Sequence, residues 1–386
     1  MNELTLGVVG KSSKKDEHRV AIHPRHFDRI DKDVRERLFV EHGYGEPFGV
    51  SDGDIAALVG GMVSRDELIA ACDIVLMPKP LVSDVKDLRD GQVLWGWPHL
   101  VQDPEFTQLA IDKKLTVIAW ESMNLWKPDG SFGLHVFHVN NEMAGYCSVL
   151  HAMTLIGVTG HYGRPLNAAV IGFGNTARGA VAGLQTLGVQ GVTVLTQRET
   201  EAVGNPMQWV TMERMDIDEV DPTRTVISQD QAGGDVATAA FLAEYDIVVN
   251  CVLQDTDSPL LFVTNDELVD FRPGTLIVDV SCDEGMGFEF ARPTTFQEPM
   301  FEPAPGVHYY SVDHSPSFLY DSATWTISEA LLPHLRTVME GASARAESET
   351  IHRATEISEG LILNPKILSF QNRSSTPPYP RAGDFG

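Results

Sequence analysis

Cysteine is scarce: only four occur in 386 residues, far apart at Cys72, Cys147, Cys251 and Cys282. None forms a CxxC pair or a Cys/His cluster with ligand spacing, so buried thiols are expected and no metal site. Long apolar runs are lacking too. Charge or proline interrupts each one before the roughly 20 residues that a membrane-spanning helix needs, and Met1 to Val9 lacks the basic start and apolar stretch of a secretory leader. Basic residues are the third shortage. Against 54 Asp and Glu stand 29 Lys and Arg, a formal net charge of −25, which repels nucleic-acid phosphates and anionic lipid. No nucleic acid and no membrane are therefore expected as partners, and a cytoplasmic location is. A local basic pocket for a small phosphorylated ligand remains compatible with this total.

What is present suits an α/β protein of two domains. β-like runs at 4–10, 37–43, 73–80, 92–100 and 115–121 alternate with helix-compatible runs such as 64–72 and 103–114, the pattern of a mainly parallel sheet. Ser64 with Glu67, and Thr264 with Glu267, have the spacing of reciprocal helix caps. A helix over 140–157 is predicted to join the domains, with Met143, Tyr146, Cys147, Leu150 and Thr154 on one face. A second set of β runs follows at 166–174, 191–195, 224–228, 245–253, 274–281 and 307–312. The region 197–243 gives no clear pattern and reads as an irregular connection. Pro333 is expected to end or bend a helix over 324–339.

Residues 170–188, VIGFGNTARGAVAGLQTLG, carry the strongest motif. A β run ends at Gly172, whose freedom permits a tight turn. Gly174 lets backbone approach a pyrophosphate, and Ala177 keeps the following helix close to the sheet. That helix, opening at Asn175, turns its first N–H groups toward the phosphates. The next strand ends in Thr196, Gln197 and Arg198. No acid stands there to receive the ribose hydroxyls of NAD, and Arg198 is suited to a ribose phosphate, so NADP(H) is expected over NAD(H).

Four polar residues stand near the ends of predicted strands. Arg19 suits a substrate carboxylate or a surface ion pair. Lys79, between two prolines, suits a carboxylate or carbonyl, or plain solvent. His99 is an acid/base candidate because imidazole titrates near neutrality, and it is equally a satisfied structural histidine. Asp283 follows a very apolar strand and faces a ligand or caps a loop. Asp279 reads as structural.

The strings EHRVAIHP (17–24), VLMPKP (75–80), RDGQVLWGWPHL (89–100), NNEMAGYCSVLHAM (140–153), GTLIVDVSCDEG (274–285) and HYYSVDHSPSFLY (308–320) occur in an order that resembles the alanine dehydrogenase and lysine-forming saccharopine dehydrogenase superfamily. The chain looks most similar to the N5-(carboxyethyl)ornithine synthase branch. This resemblance implies two Rossmann-like domains separated by a cleft, a discontinuous substrate domain of residues 1–134 plus 313–371 and a dinucleotide domain of 135–312; the composition of 372–386 separately reads as a loose or partner-held tail. It implies that Arg19 and Lys79 bind a 2-oxo acid, His99 is the general acid/base and Asp283 orients the reacting group. Lys79 would also take part in the chemistry by polarising the carbonyl. Gly172, Gly174, Asn175, Ala177, Thr196 and Arg198 would hold the cofactor. Asn141 and His314 would lie near the nicotinamide, His314 standing where related chains place Asn. The implied reaction is NADPH-dependent reductive condensation of a 2-oxo acid such as pyruvate with an amino acid. Oxidative deamination is the alternative, and a nucleotide-binding sensor a third. A homo-oligomer, a dimer or larger, is implied as well.

Overall fold

Continuous apolar runs in the central strands of both sets give sheets buried on both faces, and two such sheets organise the chain. The computed structural model describes residues 4–198, 207–228 and 234–381. Contacts divide the chain into one unit of Met1–His138 with Leu319–Gly386 and another of Val139–Phe318.

In the first unit the sheet order is Leu361–Ile362, Thr355–Ser358, Thr116–Ala119, Val93–Gly96, Ile74–Leu76, Leu6–Val8, Leu38–Glu41 and Gly61–Val63. The six N-terminal strands run parallel, and the two late strands add antiparallel at one edge. Leu6, Val8, Ile74, Leu76 and Trp95 point into one core, while Val9, Val75, Leu94 and Val117 point into the other. The flanking helices start where the sequence says they should. Ser64 and Glu67 cap Arg65–Ala71 reciprocally, and Asp103 accepts from Phe106 N at the start of Pro104–Asp112.

The second unit repeats the design. Its sheet order is Val236–Ala237, Thr225–Ile227, Val210–Ile217, Gly191–Thr196, Asn167–Ile171, Ile247–Asn250, Leu276–Asp279, Val307–Tyr310 and Met300–Ala304. The six inner strands are parallel and run 3-2-1-4-5-6 in chain order, the doubly wound arrangement. Ala168, Val170, Val192, Val249 and Val278 face one core, and Ala169, Ile171, Val248 and Ile277 the other. The stretch 197–243 contains more order than its sequence suggests. Val210–Ile217 is a full inner strand followed by two short antiparallel partners, although 199–206 and 229–233 lie outside the described residues.

Three expectations need correction. The helix His138–Leu155 forms, but its buried residues include Gly145, Ser148, Val149 and Ala152, while Thr154 is exposed. Small residues make the close contact there, and a hydrophobic pattern does not register them. A Cβ on Gly145 would run into the carbonyl oxygen of Thr176 and lie 2.6 Å from Ala180 N. One on Gly179 would run into Glu142 O and lie 2.6 Å from its carbonyl carbon. Next, the helix Tyr320–Met339 passes through Pro333 without ending. Pro333 is exposed, so the carbonyl it frees one turn back lies on the solvent side, while Leu331, Leu335 and Val338 anchor the buried face. Finally, the start of the expected tail is packed. Arg373 is buried and donates to Gln371, Gln108 and the carbonyls of Pro104 and Tyr379; 382–386 lie outside the described residues. No helix among the described residues is long and apolar enough to cross a membrane.

His26, at 1% exposure, sits against Trp325 and His23 in the first unit. Burial, then Arg29 and His23, push its imidazole down to about 4, against the pull of Glu329 and Asp28. The unfolded chain therefore binds a proton that the native chain refuses. Stability is complete above about 6.5 and falls toward pH 4, by up to about 3 kcal/mol from this residue. In urea unfolding followed by circular dichroism, His26→Gln should lose less stability between pH 7 and pH 4.5 than wild type. Parallel losses would contradict this.

Candidate active site

In doubly wound sheets the loops at the carboxyl ends of the strands carry the chemistry, above all where the strand order reverses. In the first unit the reversal lies between Leu6–Val8 and Ile74–Leu76. Arg19 lies in the connection after the former, Lys79 follows the latter, and His99 follows the neighbouring Val93–Gly96. Trp97 draws these groups together. Its ring lies 5.3 Å from the Arg19 guanidinium carbon, and its N–H donates to Pro78 O, beside Lys79, at 2.9 Å. Arg19 is buried and held by Glu17, whose Oε1 accepts from Arg19 Nε at 2.8 Å and whose Oε2 accepts from Nη2 at 2.5 Å. The pair is buried rather than on the surface, and it fixes the plane of the guanidinium. Lys79 is half-buried and His99 exposed.

His99 has a left-handed backbone, φ +49°, an uncommon state for a residue with a Cβ. Its N–H donates to Glu121 Oε1 at 2.8 Å. Glu121 follows the next strand, Thr116–Ala119. Its Oε2 is buried with no hydrogen-bond partner among the described residues, as is Oε2 of Glu356, while Glu356 Oε1 accepts from Ser122 Oγ at 2.6 Å and Asn364 Nδ2 at 3.0 Å. Burial, reinforced by the charge of Glu356, pushes the Glu121 carboxyl well above the usual carboxylate range, against the N–H groups of Glu121 and His99 and the Lys79 ammonium. Burial likewise raises Glu356. Protonated carboxyls are therefore favoured behind His99.

In the second unit the reversal lies between Asn167–Ile171 and Ile247–Asn250. Gly172 turns there with φ +99°, and a Cβ on it would sit 3.3 Å from Val252 Cγ2 and 3.4 Å from Cys251 O. A Cβ on Gly174 would meet no atom within 4 Å. That open space precedes the helix Asn175–Thr186, whose first-turn N–H groups have no acceptor within the helix. Ala177 is fully buried against the sheet. A dinucleotide pyrophosphate fits this place: open, glycine-lined and faced by backbone donors. Thr196 is buried, with its Oγ1 accepting from Arg198 N at 3.1 Å, and Gln197 and Arg198 are exposed. The nearby acid Asp216 is engaged by Arg214 at 2.8 Å and Ser228 Oγ at 2.9 Å. Asp283 is half-buried in the loop after Leu276–Asp279. Asn141 is half-buried on the first turn of its helix. His314 is buried, its Nδ1 2.5 Å from Asp313 Oδ1, with the Phe296 ring edge-on at 5.0 Å.

Arg19, Lys79 and His99 thus lie in the first unit, and Asp283 in the second with the glycine turn. Sequence reasoning assigned no role to Glu17, Trp97, Glu121 or Glu356. Glu17 and Trp97 carried a signal, each lying two residues from a chosen candidate. Glu121 was marked by its place at the end of the strand beside the one leading to His99. Glu356 had no local signal, because it arrives on a strand 235 residues later in the chain than Glu121.

Models of the two domains of the alanine dehydrogenase/PNT family match this chain, the N-terminal domain over residues 8–133 and the C-terminal domain over 144–365. An alanine dehydrogenase of Halomonas elongata is 28% identical over 361 residues, covering 90% of this chain and 91% of that protein. One of Mycobacterium tuberculosis is 25% identical over 382 residues, covering 94% and 95%. An N(5)-(carboxyethyl)ornithine synthase of Clostridium botulinum is 24% identical over 343 residues, covering 83% and 90%. Among solved structures, an L-alanine dehydrogenase shares the fold with a TM-score of 0.73 at 21% identity, over 95% of this chain and 99% of that one.

The carboxyl pair makes a stability prediction. Native Glu121 and Glu356, both raised by burial, hold protons more tightly than the unfolded chain, which releases them above about pH 4.5. Their favourable contribution is thus complete below that pH and is lost as pH rises through the raised native values. Glu356→Gln should preserve the bonds to Ser122 and Asn364 and raise Tm at pH 8.5 more than at pH 5, by roughly 2–4 °C for each kcal/mol recovered. An equal or smaller gain at pH 8.5 in differential scanning calorimetry would contradict this.

Proposed function

The chain belongs to the alanine dehydrogenase/PNT family, and from that membership we propose that it is an amino-acid dehydrogenase, interconverting a 2-oxo acid such as pyruvate and its amino acid. At the level of the family it is an NAD(P)-dependent oxidoreductase acting on CH–NH bonds. The observation that carries the substrate reading is the gathering of Arg19, Lys79 and His99 around Trp97 and Glu121 at the carboxyl ends of adjacent strands.

Arg19, held planar by Glu17, binds the substrate carboxylate through its fixed donor fork. Lys79 places a positive charge at the carbonyl oxygen and polarises it toward attack by the amine. His99 delivers a proton as water leaves and the imine forms, and withdraws it in the reverse direction. Asp283 orients the reacting amine. A nicotinamide dinucleotide, when bound, supplies or accepts the hydride at the substrate's C2. Gly172, Gly174, Asn175 and Ala177 hold its pyrophosphate, and Asn141 and His314 lie toward its nicotinamide. Thr196 and Arg198 favour NADP(H): the strand end offers no acid to ribose hydroxyls, and an exposed guanidinium suits a ribose phosphate.

A second reading differs only in the amine. With an amino acid in place of ammonia, the same steps give an N-(carboxyalkyl)amino acid. It is supported by the similarity to N(5)-(carboxyethyl)ornithine synthases.

Pyruvate and other 2-oxo acids, each offered ammonium, ornithine or lysine with NADPH or NADH, separate the readings. Nucleotide oxidation with ammonium and alanine in the mass spectrum supports the first. A larger secondary amine formed only with a diamino acid supports the second, and no oxidation across the matrix contradicts both. His99→Ala should lower kcat about 10²–10⁴-fold and leave NADPH affinity, read by fluorescence, unchanged. Unaltered kcat would remove His99 from the chemistry.

A further inference from the structure

Asp279, which the sequence marks only as part of an apolar strand, is completely buried at the end of Leu276–Asp279. It has no ion-pair partner among the described residues, so the cost of burying its charge is met by hydrogen bonds alone. Four donors converge on it. Oδ2 accepts from Tyr309 OH at 2.6 Å. Oδ1 accepts from Asn250 Nδ2 at 3.0 Å and from the backbone N–H groups of Ser281 at 3.1 Å and Cys282 at 3.4 Å. Burial pushes the carboxyl up to about 6, against these donors, so at neutral pH both oxygens remain acceptors.

The last two donors show what the convergence achieves. Cys282 has φ +60°, a left-handed conformation that costs a residue with a Cβ energy unless its surroundings impose it. The Asp279 oxygen gathers the two successive N–H groups of Ser281 and Cys282, and Cys282 Sγ lies 3.4 Å from Ser311 O. Ser281 Oγ donates to Val252 O at 2.5 Å. Beyond the turn, Met286 N donates to Asp283 O at 3.2 Å and Gly285 N to Ala291 O at 3.0 Å. Asp283 is thus the residue immediately after an enforced left-handed turn, in a loop tied at both ends. Asn250 extends the network to the glycine turn, since its strand pairs with Asn167–Ile171 and Cys251 N donates to Ile171 O at 2.9 Å.

We propose that Asp279 and Tyr309 are positioning residues for Asp283: the buried carboxylate, oriented by the Tyr309 hydroxyl, holds the Cys282 turn that aims the Asp283 side chain. This rests on the reading that Asp283 orients the reacting amine. Neither Asp279 nor Tyr309 touches substrate in this account. Their contribution therefore passes wholly through Asp283, and its loss should appear in kcat rather than in nucleotide binding.

The test is a double-mutant cycle with the amine and 2-oxo acid that give turnover. Tyr309→Phe keeps the ring and three of the four donors, and Asp279→Asn keeps the shape. Asp283→Ala removes the aimed group. Tyr309→Phe should lower kcat roughly 5-fold or more and Asp279→Asn roughly 50-fold or more, with NADPH dissociation constants, measured by fluorescence, within about 2-fold of wild type. In the Asp283→Ala background neither should lower kcat further. Should Asp279→Asn fail to fold, the Tyr309→Phe arm alone decides. Losses that multiply with that of Asp283→Ala, or a weakened NADPH affinity with unchanged kcat, would overturn the proposal and leave the reading of Asp283 intact. If Asp283→Ala itself retains full kcat, the reading of Asp283 falls, and the proposal with it.

Discussion

Backbone contact between two helices sets the geometry of the dinucleotide unit. His138–Leu155 and Asn175–Thr186 meet at Gly145 and Gly179, each so near the partner's backbone that a methyl group has no room. Gly183 continues the stripe, where a Cβ would lie 3.2 Å from Tyr146 O. Such a contact fixes spacing more tightly than larger side chains can, because backbone cannot change rotamer to relieve a clash. The helix held in this way is the one whose first turn faces the place for a pyrophosphate. The helix holding it carries Asn141 one turn before the crossing. The open space at Gly174 and the crowding at Gly179 thus belong to one helix, five residues apart.

The strand ends then supply the chemistry in two electrostatic styles. In the first unit, charge is managed by burial and pairing. Glu17 orients Arg19, while Glu121 and Glu356, both shifted toward their protonated forms, stand behind His99 without presenting two negative charges to it. In the second, the buried Asp279 stays charged because four donors meet it. Arg19, Lys79, His99, Glu121 and Asp283 all follow parallel strands, where loops are free to carry function on a rigid frame. His99 and Cys282, one in each of these loops, are left-handed residues with a Cβ, so the backbone there is held against its own preference.

Much of this was legible in the sequence. Short continuous apolar runs located the inner strands because parallel strands buried on both faces need them, and the Ser64–Glu67 spacing located the start of Arg65–Ala71. Gly172, Gly174 and Ala177 marked the tight turn from Asn167–Ile171 into the helix Asn175–Thr186. What stayed hidden depends on contacts between segments distant in the chain. Glu356 reaches Ser122 only because Thr355–Ser358 adds to the edge beside Thr116–Ala119. The half-polar strand Val210–Ile217 gave no apolar alternation, since much of its length is only part-buried. The Gly145–Gly179 crossing escaped a hydrophobic reading because the residues that make it are nearly without side chains. Pro333 read as a place where the helix ends or bends, and its exposed setting, which lets the helix continue, could not be known from the sequence.

In the proposed function, a dinucleotide held at Gly172–Asn175 exchanges hydride with the C2 carbon of an amino acid bound through Arg19. Reduction of pyruvate with an amine and NADPH deuterated at the transferable C4 position measures this directly. One deuterium on C2 of the product, found by mass spectrometry and lost with Arg19→Ala, is the result the account predicts. Product without deuterium at that carbon, or an undiminished yield from Arg19→Ala, would contradict it.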